Sequence, residues 1–244
     1  MTTTTTEVRA PGSRLAKWRR RLGTALMVAG IAILAWVFVV WQWNDPFTSL
    51  YTRWQQRGLE SSYSALVKEE TAKPPVAPVT ADPAEAARAV EGAARRFRLA
   101  SGEGEAIGKI VVPRLDLDMV FVDGTDAATL KKGPGRHLDT FMPGEGKLVY
   151  IAGHRTTYLA PFAHIDRLEP GDRIRLEMPY ATVVYEVTRH AIVDDEDLSV
   201  LESHGREEVA LQACHPRFFA TQRYIVWGRP VEVRPRGGRP YSVG

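Results

Sequence analysis

The hydrophobic pattern gives the chain several distinct textures. Gly23 to Trp41 (GTALMVAGIAILAWVFVVW) runs for 19 residues without a charge, and at 1.5 Å per residue a helix of that length nearly crosses a hydrocarbon core of about 30 Å. Residues 46–70 place Leu50, Trp54, Leu59 and Leu66 at loose helical spacing among polar positions, which predicts a helix near the membrane surface. Ala72 to Pro83 contains four prolines. They remove backbone donors and fix φ repeatedly, which predicts an extended spacer. Residues 84–99, rich in Ala, Glu and Arg, predict a second helix.

From about Ala106 the pattern becomes short β-branched runs separated by Gly, Pro and Asp, the texture of an all-β domain. In Arg173–Met178 the alternation puts Ile174, Leu176 and Met178 on one face. Thr182–Val193 follows after Pro179 and Tyr180 as its candidate antiparallel neighbour. Further strands are predicted at Gly108–Pro113, Met119–Val122, Lys147–Ala152, Glu208–Ala213 and Tyr224–Val233, with a helical turn at Asp126–Lys132. Seven such runs with little helix point to a closed or nearly closed barrel, which leaves no exposed edges. The Gly/Pro-rich end, Pro235 to Gly244, is expected to fray.

Composition and charge add a topology. The 244 residues, 44% hydrophobic and 25% charged, suit one globular domain with accessory segments and exclude a wholly disordered chain. A formal charge of +3 raises nucleic acid as a partner. However, Arg9, Arg14, Lys17, Arg19, Arg20 and Arg21 stand against Glu7 ahead of the apolar run, and the remainder is slightly acidic. An excess confined to one terminus argues against a nucleic-acid footprint and for a cytoplasmic flank. The run ends in Trp41, Gln42 and Trp43, not in a small-residue cleavage site, so it reads as an anchor with interfacial indoles. The expected organisation is a basic cytoplasmic tail (1–21), a single transmembrane helix (22–43) and a helical, Pro-rich linker (44–105). An extracellular β-barrel (106–235) and a disordered tail (236–244) complete it.

Cys214 is the single cysteine, so outside the cell it serves as packing, as an intermolecular bridge or as a nucleophile. It ends the run Val209–Ala213 and precedes His215 and Pro216, where a strand must stop. A free thiol, with pKa about 8.5, needs a neighbouring base or cation to react at neutral pH. His215 is adjacent but points to the opposite face in extended backbone. His154 follows Gly153 at the end of the candidate strand Lys147–Ala152 and can reach a thiol on another strand. His137, His164, His190 and His204 read as solvated or hydrogen-bonded side chains. For a developing oxyanion, Arg223 opens the last strand and returns beside Cys214 if the two strands form a hairpin. Arg217 sits within the loop, and Arg155 faces away from its neighbour in extended backbone. No metal-ligand spacing is present, and Asp194–Asp197 reads as a solvated acidic loop rather than a calcium site.

Three segments, Ala152-Gly-His-Arg155, Leu211-Gln-Ala-Cys-His-Pro216 and Gln222-Arg-Tyr-Ile-Val226, occur in the order of the histidine, cysteine and arginine segments of sortases. Over roughly Ile107 to Val233 the chain resembles that family, most of all the class E sortases of Gram-positive bacteria. The resemblance implies a closed eight-stranded β-barrel and a membrane-tethered cysteine transpeptidase without a cofactor. In it Cys214 is the nucleophile, His154 the general acid/base and Arg223 the positioner of the substrate carbonyl. The implied partners are secreted proteins bearing a C-terminal sorting signal of Leu-Ala-x-Thr-Gly or Leu-Pro-x-Thr-Gly type and an amine of a peptidoglycan precursor. Tyr158, Ala213 and His215 would be substrate contacts. One departure stands out: the family's Thr-Leu-x-Thr-Cys is Ala210-Leu-Gln-Ala-Cys214 here, without either threonine. A thiol hydrolase using the same residues, or a weakened barrel that only binds surface proteins, are the alternative readings.

Overall fold

The computed structural model describes residues 13–43 and 46–243, and the chain forms two compact units, Met1–Asn44 and Asp45–Gly244. The described part of the first unit is helix α1 (Ser13–Trp43). Within it, Ala16–Val39 is long and apolar enough to cross a membrane, and Leu26, Ile31, Leu34 and Phe38 are all exposed. The tail over residues 1–12 and the indoles of Trp41 and Trp43 lie outside the described residues and side chains.

The second unit opens with α2 (Pro46–Ala72) and α3 (Pro83–Ala100). Asp82 caps α3 by accepting a bond from the Glu85 amide, and Pro83 supplies the first turn. Val90, Ala93 and Ala94 place one face of α3 in the main core. The strands follow: β1 (Ala106–Val112), β2 (Leu117–Asp123), β3 (Gly135–Arg136), β4 (Leu148–Ala152) and β5 (Arg173–Glu177), with a short helix α4 (Ala127–Leu130) between β2 and β3. Then come β6 (Ala181–Asp194), β7 (Glu208–His215), β8 (Gln222–Pro235) and β9 (Tyr241–Ser242).

The ladder runs β6-β5-β1-β2-β3-β4-β7-β8, and β8 pairs again with β6, which closes an eight-stranded barrel; β9 is appended to β8. Along β7, Val209, Leu211 and Ala213 point into the interior cluster with Val149, Ile151 and Val226. The alternate residues face outward, where Ala210 packs with Leu148, Tyr150, Ile225 and Trp227. This outer cluster is roofed by Val200 and Leu201 of the β6–β7 connection.

Three expectations change. Between the predicted strands lies β3, which bridges β2 and β4. Its Gly135 meets the Gly124 carbonyl so closely that a Cβ would clash with it, and Arg136 forms a buried ion pair with Asp123 at 2.6 Å. The Pro-rich spacer and the frayed tail, both expected to be unpacked, pack on each other. The Val76 amide donates to the Arg236 carbonyl, the Arg236 guanidinium donates to the Lys73 and Pro74 carbonyls, and Ala77 is fully buried. Beyond them β9 continues the sheet instead of fraying. Helix α2 also seats on the barrel: the Gln56 side chain bonds the Val120 backbone through both its N–H and its carbonyl, and Tyr63 donates to the Glu177 carbonyl.

Candidate active site

Cys214 lies one residue from the end of β7, half-buried, on the outward face shared with Ala210 and Gln212. Two neighbouring strands bring polar side chains to this level. In the antiparallel β7–β8 pair, Cys214 stands directly opposite Arg223, and residues so paired project from the same face of the sheet. On the other side, β4 runs parallel to β7 with Ala152 paired to Gln212. The Gly153 amide extends that ladder by bonding the Gln212 carbonyl at 3.0 Å, so His154 emerges at the level of Cys214.

The turn that carries His154 depends on close approach. A Cβ on Gly153 would stand 2.6 Å from the Phe162 ring, and the Phe162 amide closes the loop onto the His154 carbonyl. The next residues pass through Tyr158, Leu159 and Ala160 with φ of 53°, 64° and 43°, a left-handed stretch that costs energy in residues bearing a Cβ. It is held by the Tyr158 amide, which donates to Thr48 Oγ1 of α2 at 3.0 Å. The Tyr158 ring lies 5.0 Å from that of His154 and meets Tyr51 of α2 edge-on.

Burial, and then the nearby Lys131 ammonium, lower the His154 pKa below the ordinary histidine value. Its Nε2 is buried with no hydrogen-bond partner among the described residues, leaving a neutral ring with an uncommitted nitrogen. Arg223 is held differently. Its Nη1 donates to the Ala220 and Gln222 carbonyls at 2.8 and 2.9 Å, and Nη2 lies 3.7 Å from Asp195 Oδ2. These contacts brace the β7–β8 loop and hold the guanidinium on the β8 side.

Arg155, set aside on strand alternation, has a larger part than expected. The backbone turns after Gly153, and the Arg155 side chain becomes 5% exposed. Its guanidinium donates to Asp166 at 2.6 Å, to the Cys214 carbonyl at 3.3 Å and to Nδ1 of His215 at 2.9 Å. A guanidinium only donates, so in this contact Nδ1 of His215 is the acceptor. The signal for this role was a turn-forming glycine just upstream, which breaks alternation.

Two of the expected substrate contacts project away from the Cys214 face. The Ala213 side chain is fully buried in the barrel interior, on the face opposite Cys214. His215 also departs from the Cys214 face, its ring turned to Arg155 and Tyr224. Tyr158 stays beside His154 and partly exposed. Among the described residues no cluster of His, Cys, Asp and Glu is arranged to hold a metal ion.

The comparisons with known proteins agree on the barrel. A family model described as a sortase domain matches residues 110–231. Sortase D of Bacillus subtilis is 36% identical over 132 residues, covering 52% of this chain and 65% of the relative. Sortase SrtE1 of Streptomyces coelicolor is 31% identical over 157 residues, covering 57% of this chain and 45% of that protein. The chain thus spans less than two thirds of either relative's length. A crystal structure of sortase E1 from Streptomyces coelicolor with a tripeptide in the active site superposes with a TM-score of 0.51 at 30% identity, covering 56% of this chain and 94% of that one.

Proposed function

The chain belongs to the sortase family, and from that premise we propose that it is a membrane-anchored cysteine transpeptidase. The supporting observation is the register that sets Cys214 opposite Arg223, with His154 emerging level with Cys214 from the parallel strand beside it. The substrate is a secreted protein with a C-terminal sorting signal of Leu-Ala-x-Thr-Gly or Leu-Pro-x-Thr-Gly type. The peptide bound in the Streptomyces relative's active site supports a peptide substrate here too. The apolar helix Ala16–Val39 supports the anchor, with the N-terminus in the cytoplasm and the catalytic unit outside.

In this reading the Cys214 thiol passes its proton to the uncommitted nitrogen of His154 as the sulfur attacks the Thr carbonyl carbon. The Arg223 guanidinium and backbone N–H groups stabilise the oxyanion. Collapse breaks the Thr–Gly bond, and His154 returns the proton to the departing amine. The thioester is then attacked by an amine of a peptidoglycan precursor, which loses a proton to His154. An amide forms and the Cys214 thiol is restored. Tyr158, beside His154, borders the peptide.

The test uses the full chain in detergent with a Leu-Ala-x-Thr-Gly peptide and an added amine. Mass spectrometry should find an acyl adduct on Cys214 and an amide product, both lost in Cys214→Ala. No adduct and no transfer would remove the proposal, and acid as the sole product would turn it into a hydrolase.

A further inference from the structure

The end of the catalytic unit that holds Cys214 and His154 carries exposed apolar side chains that this chemistry does not use. In the β7–β8 loop, Phe218 and Phe219 are 63% and 78% exposed. On α2, Leu50 and Trp54 stand one turn apart at 70% and 66% exposure, whereas Thr52, Gln56 and Tyr63 of the same helix bond the barrel or the loops beside it. Both patches border the same site. Thr48 and Tyr51 of α2 touch Tyr158, and the Phe218–Phe219 loop joins the Cys214 strand to the Arg223 strand.

Scattered exposed apolar residues are ordinary, but a phenylalanine pair at a loop tip and a leucine–tryptophan pair on a helix, at one end of a barrel, form a surface in need of a partner. Arginines stand among its polar companions, with Arg53 and Arg57 exposed on α2 and the Arg217 guanidinium carbon 5.7 Å from the Phe218 ring centroid, beside the exposed acidic run Asp194–Asp197 that pairs with the start of β8. Aromatic rings mixed with arginines suit the boundary between headgroups and acyl chains, where rings enter the boundary and guanidinium groups meet phosphates. Chain length names the occupant. Leu50 follows Trp43, the last residue of α1, by seven positions, a reach of at most about 25 Å even when extended. A bilayer crossed by α1 is therefore within covalent reach of this end.

We infer that Phe218, Phe219, Leu50 and Trp54 rest on the lipid interface, with the arginines on anionic headgroups, so that the Cys214 groove opens at the membrane surface. This rests on the membrane-anchored reading above. It would confine the site to peptides and amines held near the bilayer.

The experiment takes the full chain with Cys214→Ala and one introduced thiol, Thr221→Cys in the β7–β8 loop or His204→Cys leading into the other end of β7. Each is labelled with an environment-sensitive fluorophore and reconstituted into vesicles of phosphatidylcholine and phosphatidylglycerol. Quenching by a nitroxide on the acyl chains should be about threefold stronger at position 221 than at 204, with the reverse order for aqueous iodide. Phe218→Ser with Phe219→Ser should erase the difference while the chain still floats with the vesicles. Equal quenching at the two positions in floating vesicles would overturn the inference and leave the anchor standing. A chain that does not float would overturn both.

Discussion

Arg223 and His154 reach the level of Cys214 from opposite sides by unlike means. On the Arg223 side the position is written in the backbone: β7 and β8 form one antiparallel ladder from Val209↔Gly228 to His215↔Gln222, and the loop between them is short. On the His154 side the parallel ladder with β4 stops at Ala152 and gains only one more bond, from Gly153. Beyond it, His154 is held by side chains from distant segments: Arg155 on Asp166 and the Cys214 carbonyl, Thr48 on the Tyr158 amide, and Phe162 against Gly153. A position fixed by a strand ladder tolerates most side-chain changes. One fixed by a few buried contacts does not.

Arg155→Ala is the strongest test of that contrast. It removes a charge-assisted bond to Asp166 and the donor to the Cys214 carbonyl, a loss of about 2–3 kcal/mol. Expressed as misplacement of His154, this lowers kcat for the proposed transfer by about 10²-fold. Amide exchange should accelerate over residues 153–160 while the β7–β8 ladder keeps its protection. If both sides lose protection equally, the contrast is wrong. Arg155→Lys should recover part of the stability through Asp166 and little of the rate, because an ammonium lacks the fork that also reaches Cys214 and His215.

A smaller effect comes from α2. Thr48→Val takes the acceptor from the Tyr158 amide, worth about 1 kcal/mol, at the start of three consecutive left-handed residues. The loop loosens without loss of Cys214 or Arg223. Steady-state kinetics should show KM for the peptide rising about fivefold, with kcat changed by less than about twofold. A fall in kcat alone would mean that Thr48 acts on His154 itself.

The same contrast explains what the sequence revealed. Cys214 and Arg223 were legible as residues at the facing ends of two apolar runs, which a short loop brings together if the runs form a hairpin. His154 was legible as a residue just past a strand end, but nothing in the pattern placed β4 parallel beside β7. Segments held by polar contacts left no such trace. Gly135 and Arg136 have no alternation, and their strand exists because Arg136 pairs with Asp123 in the interior and glycine admits the Gly124 carbonyl. Gln56 joins α2 to the barrel by copying a backbone donor and acceptor, which hydrophobic periodicity does not register. The Pro-rich segment and the C-terminal stretch each lacked a pattern, yet Arg236 satisfies carbonyls of the first while its own carbonyl accepts from Val76.

The smallest expected effect separates the two causes of the His154 shift. Burial comes first and the Lys131 charge second, and both lower its pKa. The ring therefore stays neutral to lower pH than an ordinary histidine, and the acid limb of the pH–rate profile should fall below the usual histidine value. Lys131→Gln removes only the charge, so the limb should move upward while the rate at neutral pH changes by less than about twofold. Lys131→Glu should move it further in the same direction. High salt screens the Coulomb part and leaves desolvation in place. The profiles of the native chain and Lys131→Gln should therefore converge in salt, still below an ordinary histidine. A limb that does not respond to either substitution would place the titrating group elsewhere than His154.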